Sequence, residues 1–369
     1  KARKPDMILG VAGCVAQRYG DRLLRKIPHL DFVLGPRAIP RLPELISRIE
    51  QAKERPVETS YDVEELFEVE PYHKEGKITA FVSVQQGCNK KCSYCIVPYV
   101  RGDEVNRPLP EILREAENLV SKGVREITFV GQTVNSWKEN GHKFGDLLRA
   151  AADIDRLERI RFTTSYPRDI TKRMIDAMKD VDKVCRHIHL PVQSGSNRVL
   201  ALMKRTYTRE WFSDTVKRLK DAVPDLAIST DIIVGYPGET DRDFEETMNL
   251  MREVEFESSF SFKFSPRPGT PAAGLPKEET VPDETAGARL MELQAFQKEI
   301  TLRKNMERVG KTEDVLVEGP SKHDPESVSG RTSHNRIANF RGPASLVGSV
   351  VRVRVSEGLS NSIRGELSV

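Results

Sequence analysis

Between Ala80 and Phe264, six short strand-like runs alternate with amphipathic helical stretches, and this alternation restricts the fold more than any other feature. The runs are Ala80 to Val84, Glu126 to Val130, Arg159 to Thr163, His187 to Pro191, Ala227 to Val234 and Ser258 to Phe264. Between them, Glu111 to Lys122 brings Ile112, Ala116, Leu119 and Val120 to one helical face. Asp243 to Val254 likewise aligns Phe244, Met248 and Met251. Strands connected through helices run parallel, so the region reads as α/β. Six units in roughly 200 residues fall short of the roughly 250 of a closed eight-unit barrel, which predicts an open, six-unit partial (βα) barrel.

The flanks differ from this middle. Residues 1–52 contain a strand over Met7 to Val11, a Gly13-Cys14 turn and a helix over Gln17 to Lys26. A second strand over Asp31 to Gly35 and a helix over Leu42 to Gln51 follow. That is half of an open α/β sheet, so the chain is expected to begin inside a domain. Residues 53–77, with the acidic runs Val63-Glu64-Glu65 and Glu68-Val69-Glu70, read as a surface linker. The barrel is expected over 78–306. From Thr312 onward Val315 and Val317, then Val351, Val353 and Val355, alternate with polar residues. Residues 307–369 are therefore expected to form a small antiparallel β-barrel.

A chain of 369 residues needs more than one core. The formal charge of +3 permits a nucleic-acid partner without demanding one. No run of about 18 apolar residues exists, so no membrane span is expected. The N-terminal KARKPDMILGVAGC lacks the features of a secretory signal. Five cysteines, an odd number with three crowded together, argue against a secreted disulfide scaffold. Reduced, metal-binding cysteines in a cytoplasmic, monomeric enzyme are the expectation.

The crowded three are Cys88, Cys92 and Cys95, in the spacing C-x3-C-x2-C. Three thiolates on one short loop suit three corners of a cubane iron–sulfur cluster. A tetrahedral zinc site needs a fourth ligand, and no His or Cys follows closely. One iron is left open for a small molecule. The loop follows the first barrel strand, at the end where barrel enzymes place their chemistry. Cys185 reads as a packed small side chain, and His187 and His189 alternate so that both can face one side.

The text QGCNKKCSYCIVPYVRG resembles the methylthiotransferases of the radical S-adenosylmethionine superfamily, above all the tRNA branch. Dispersed blocks carry the same resemblance: GCVAQ at 13–17, VGQTVNSW at 130–137, RFTTSYP at 161–167, HLPVQSGS at 189–196, DIIVGYPGET at 231–240, FSPRPGT at 264–270 and SGRTSHNRIANF at 329–340. The resemblance implies radical insertion of a methylthio group at C2 of N6-dimethylallyladenosine, at tRNA position 37 beside the anticodon. It implies a truncated, flavodoxin-like N-terminal domain. It also implies two [4Fe-4S] clusters, with S-adenosylmethionine on the open iron of one and Cys14 as a ligand of the second. The other ligands of that second cluster are expected upstream of Lys1. Gln132, Gln193, Ser194, Asp231 and Gly235, at or near strand ends, and Arg205, suited to a carboxylate, are expected to bind the cofactor. No catalytic residue beyond the cluster ligands is expected. An electron donor such as flavodoxin or ferredoxin is implied as a partner.

The last block resembles a TRAM domain, which implies tRNA binding by Arg331, Asn335, Arg336 and a stacking Phe340. Two other readings stay open. One keeps the chemistry on threonylcarbamoyladenosine tRNA or a ribosomal-protein aspartate. The other is a non-catalytic RNA-binding metalloprotein.

Overall fold

The computed structural model describes residues 4, 6–61, 74, 76–321 and 324–368. The acidic runs at 63–65 and 68–70 lie outside the described residues. The chain divides into two compact units, one of residues 1–72, 86–91 and 95–105, the other of 73–85, 92–94 and 106–369.

In the first unit, strands Gly10–Ala12, Phe32–Leu34 and Val57–Glu58 form a parallel sheet in that order. Ala16, Leu30 and Val33 are its buried centre, with Leu9, Val11 and Leu23 packed around them. The helix expected over Gln17 to Lys26 is two helices, Cys14–Tyr19 and Asp21–Lys26, because Gly20 between them takes a positive φ of 48°. The linker expected from residue 53 also needs correction at its start. Val57 and Glu58 pair with Val33 and Leu34, so the chain completes a third strand before leaving the sheet.

The second unit carries the alternating strands and helices. Thr79–Ser83, Glu126–Val130 and Arg159–Phe162 form one parallel sheet; His187–His189, Ala227–Val234 and Ser258–Lys263 form another. A single bridge between Ile160 and Val184 links the third strand to the segment before the fourth, so the strands follow chain order. Helices Leu109–Ser121, Phe144–Ala152, Lys172–Asp180, Arg209–Ala222, Asp241–Val254 and Asp283–Met306 accompany them. Period-2 alternation separates two faces. Ile127, Phe129, Ile160, Phe162, Ile188, Ile228, Ile232 and Val234 are buried on one. The other face carries Thr128, Arg161, His189, Ser229, Asp231, Phe260 and Phe262, a polar and aromatic set.

The C-terminal segment closes a barrel of Thr312–Pro320, Ser327–Thr332, Ile337–Arg341, Ile363–Leu367 and Val350–Gly358, in that order. Val315, Val317, Val328, Ala338, Phe340, Val353, Val355 and Ile363 fill it. The antiparallel expectation is corrected at one seam, where Ala338–Phe340 runs parallel to Ile363–Gly365 to close the ring. Buried arginines anchor this barrel to the start of the α/β strands. Arg161 donates to the carbonyl of Thr332 at 2.7 Å, and Arg159 donates to that of Asp314 at 2.7 Å. Arg161 is itself paired with buried Glu126 at 2.9 Å.

Candidate active site

The cysteine loop is built from small residues where the backbone needs room. Gly87, at φ 82°, would press a Cβ to within 2.0 Å of the Asp103 carbonyl, so no larger residue fits. The Cys88 N–H donates to the Gly102 carbonyl at 3.2 Å. Arg37, buried, donates to the carbonyls of Arg101 and Asp103 and clamps the returning strand of the loop. Cys14 opens the helix Cys14–Tyr19, which packs against the helix Val97–Arg101 just after Cys95. All of these residues lie in the first unit.

Cys92, Ser93 and Tyr94 belong to the second unit. Ser93 holds them: its N–H donates to the Met203 carbonyl at 3.0 Å, and its hydroxyl meets the Leu202 carbonyl at 2.8 Å and the Tyr236 hydroxyl at 2.9 Å. Tyr94 packs on Val199, Met203, Tyr236 and Ala272.

Arg205 reaches this segment from just after the helix Asn197–Leu202, its N–H donating to the Leu200 carbonyl at 2.8 Å. It is 9% exposed, and its guanidinium stands 3.3 Å from the Cys92 sulfur. It also donates to the Tyr207 hydroxyl at 2.7 Å and the Pro191 carbonyl at 2.8 Å, and lies over the Tyr166 ring at 4.6 Å. Among the described residues no carboxylate pairs with it. A buried cation without a carboxylate is costly, and here hydrogen bonds to the Tyr207 hydroxyl, the Pro191 carbonyl and the Cys92 sulfur satisfy it.

None of the five cysteines is in a disulfide; Cys88 and Cys92 are buried and Cys95 is half-buried. Among the described residues no three His, Cys, Asp or Glu side chains form a cage for a single ion. A cubane asks for something else, one thiolate at each of three separate corners, and three cysteines outside any disulfide, within a run of eight residues along the chain, are a donor set of that chemistry. Cys185 is buried, and burial pushes its thiol pKa up, which suits a packed and unreactive side chain.

The strand ends carry half-buried and fully internal side chains. Gln132 is half-buried next to Gly131, where a Cβ would come within 2.6 Å of Gln85. Gln85 was not legible in the sequence. It is buried, and it accepts from the Thr133 N–H and donates to the Thr133 hydroxyl, both at 3.2 Å. Gln193 has a left-handed φ of 76° and bridges to Ile232. Ser194 is more enclosed than Gln193. It is 1% exposed, its hydroxyl meets Thr247 and accepts from the Ser196 N–H, and both partners are internal. Gly235, at φ 70°, lies against Ala286, and its N–H donates to Glu239 at 2.9 Å. Burial raises the pKa of Glu239, which the Arg289 guanidinium opposes from 2.7 Å. Thr240 and Asp243 form a helix-capping box.

Asp231 sits within its strand rather than at the rim, 3.3 Å from His189 Nε2. His189 Nδ1 and His187 Nε2 both meet the Ser229 hydroxyl, at 3.0 and 3.1 Å. Burial, with Arg161 and His189 nearby, pushes His187 down to about 3, so its ring is neutral.

Two RNA-contact expectations on the C-terminal barrel are corrected. Phe340 is 2% exposed and part of the barrel core, so it cannot stack on a base. Arg336 is turned inward onto Glu257, an ion pair of the domain junction. Arg331 pairs with Glu318 at 3.4 Å and donates to the side chain of Asn335 at 3.2 Å. Of the cluster read as an RNA handle, Arg336 thus holds the barrel to the α/β part, while Arg331 and Asn335 make contacts within the barrel. Arg341, Arg352 and Arg354 face solvent instead.

Residues 82–251 match the model of the Radical SAM superfamily, and 307–368 match the TRAM domain. The chain is 44% identical to the tRNA-2-methylthio-N(6)-dimethylallyladenosine synthase of Aeromonas hydrophila subsp. hydrophila, over 99% of this chain and 77% of that protein. It is 46% identical to the synthase of the same name from Syntrophus aciditrophicus, over 100% of this chain and 80% of that one. Among solved structures, the cobalamin-dependent S-adenosylmethionine radical enzyme OxsB shares the fold at a TM-score of 0.53 and 13% identity, over 79% of this chain and 43% of that one. No helix of the described residues is long and apolar enough to cross a membrane. Identity at this level along nearly the whole chain leaves one conclusion: the protein belongs to the tRNA-2-methylthio-N(6)-dimethylallyladenosine synthase family within the radical SAM superfamily.

Proposed function

We propose that the protein inserts a methylthio group at C2 of N6-dimethylallyladenosine at tRNA position 37, next to the anticodon. The observation that carries this reading is the buried Arg205, which lies at the sulfur of Cys92 with no carboxylate partner among the described residues. Cys88, Cys92 and Cys95 would hold a [4Fe-4S] cluster as three of its four ligands, leaving one iron for S-adenosylmethionine. Cluster and cofactor, when bound, supply the radical chemistry that an unpolarised C–H bond requires.

This chain's residues hold and orient. Arg205 balances the charge at Cys92. Gln132, Gln193 and Gly235 stand at the strand ends of a six-unit partial barrel and line the cofactor, in the manner of barrel enzymes. Cys14 serves a second cluster. The TRAM barrel contacts tRNA through its solvent-facing basic side chains, Arg341, Arg352 and Arg354, so binding weakens steeply with added salt. The reading fits a monomeric cytoplasmic enzyme served by a flavodoxin- or ferredoxin-type electron donor.

Anaerobic reconstitution with iron, sulfide and a strong reductant tests it. The expected result is cleavage of S-adenosylmethionine and 2-methylthio product on N6-dimethylallyladenosine tRNA. Cleavage with no such nucleoside in the tRNA digest would overturn the substrate assignment.

A further inference from the structure

The polar and aromatic face of the second parallel sheet ends at a free edge. Among the described residues, Ser258–Lys263 pairs with Ala227–Val234 and with no other strand. On this edge Phe260 and Phe262 are 58% and 56% exposed, unusual for two large rings side by side on a strand. They line a cavity of about 820 Å³ together with His187, Lys298, Asn335 and Arg336. Their neighbours across the register are Asp231 and Ile233.

The polar atoms beside the rings form a directional chain. His187 is neutral and meets Ser229, Ser229 meets His189 Nδ1, and His189 Nε2 faces Asp231. One proton arrangement satisfies every link. His187 Nε2–H donates to Ser229, the Ser229 hydroxyl donates to His189 Nδ1, and His189 Nε2–H donates to Asp231 Oδ1. The second Asp231 oxygen remains available as an acceptor in a side chain that is 29% exposed. The His189 ring also meets Phe260 edge-on, with centroids 5.7 Å apart, which fixes the first ring relative to the carboxylate.

A carboxylate acceptor beside two phenyl rings is complementary to an N–H group that carries a branched apolar substituent. We infer that this edge is the recognition site for the N6-dimethylallyl-amino group of the target adenine. Asp231 accepts the N6–H, and Phe260 and Phe262 cover the five-carbon tail. The inference rests on the substrate class proposed above and adds the residues that select it. Adenine without the tail keeps the hydrogen bond and loses the apolar contact. A threonylcarbamoyl substituent would set a second carboxylate against Asp231 and the rings.

The test is binding by the anaerobically reconstituted full chain to two anticodon stem-loop RNAs, identical except for adenosine or N6-dimethylallyladenosine at the target position. Fluorescence anisotropy is the readout. The wild type is expected to bind the prenylated RNA about tenfold more tightly, the order expected for partly burying a five-carbon group. F260A/F262A should bring that ratio to within about twofold of one while leaving affinity for the unprenylated RNA unchanged, which also checks folding. F262E, a single exposed change, should remove the preference independently. Asp231→Ala should weaken both RNAs by roughly fivefold and keep their ratio. A wild-type ratio near one overturns the inference, as does a tenfold ratio surviving in F260A/F262A or F262E. A separate arm measures 2-methylthio product with the wild type. Product formed on the prenylated RNA alongside a surviving ratio in the variants would remove this site and leave the proposed reaction standing. Absence of product with a ratio that collapses in the variants would do the reverse.

Discussion

The Arg205 guanidinium lies 3.3 Å from the Cys92 sulfur, held there by Tyr207, the Pro191 carbonyl and the Tyr166 ring. When the Cys92 sulfur serves as a cluster ligand this contact becomes charge-assisted, and burial keeps water from screening it. A positive charge beside a cluster ligand favours the reduced cluster. Arg205→Met is therefore expected to move the cluster midpoint potential negative, on the order of 100 mV at an effective dielectric constant near 20. Arg205→Lys should recover part of the shift. An EPR-monitored redox titration measures both, and equal potentials for wild type and Arg205→Met would rule out the electrostatic role.

The cysteines are expected to separate cleanly by iron content. Alanine at Cys88, Cys92 or Cys95 should each abolish the iron-dependent visible absorbance after anaerobic reconstitution. Cys185→Ala should keep it, because that thiol is buried and its pKa is raised by burial. Colorimetric iron analysis checks the series; iron loss in the Cys185 variant would contradict the assignment.

Arg161 joins the two halves of the second unit. It is paired with buried Glu126 at 2.9 Å and donates to the Thr332 carbonyl of the C-terminal barrel. Arg161→Ala leaves a buried carboxylate uncompensated and is expected to cost about 3–5 kcal/mol. The double variant Arg161→Met/Glu126→Leu should recover much of that loss by removing both charges. Calorimetric unfolding of the two variants decides, since a double variant no more stable than the single one would place the loss elsewhere.

Asp243 offers a pH test. Burial would raise its pKa, but hydrogen bonds from Arg198, Ser196 and Thr240 outweigh burial and hold it well below the usual carboxylate range. A depressed folded pKa means the unfolded chain binds the proton more readily. The stabilisation is therefore complete above the unfolded value, near pH 4, and is lost as pH falls through the folded value. Asp243→Ala should cost about 2 kcal/mol near neutrality through the lost helix cap and Arg198 contact. Its deficit relative to wild type should shrink as the pH falls below about 4. Thermal melts over that range supply the check, and a deficit independent of pH would exclude the carboxylate as its source.

Much of the architecture was legible because it rests on local pattern. The period-2 and period-3.6 alternations located all six α/β strands to within about two residues at each end, and valine alternation located two of the five C-terminal strands, Thr312–Pro320 and Val350–Gly358. The two-residue strand Val57–Glu58 was missed because it is too short to show a period and exists only through pairing with its neighbour. Phe340 was misread for a related reason. An aromatic ring among arginines and asparagines looks like a stacking platform, yet strand alternation points it into the barrel core.

Residue order alone sets out a loop suited to an iron–sulfur cluster, since the spacing of Cys88, Cys92 and Cys95 along eight residues is a covalent fact. It also determined the order of elements, because hydrophobic periodicity is local. What distant residues do became visible only in the folded chain. Arg205 stands 113 positions from Cys92, and Arg161 is 171 from Thr332, so neither pairing leaves a trace in local pattern. Burial then decided the rest. It left Arg205 with a sulfur in place of a carboxylate, turned Arg336 inward onto Glu257, and left Phe260 and Phe262 open at a strand edge.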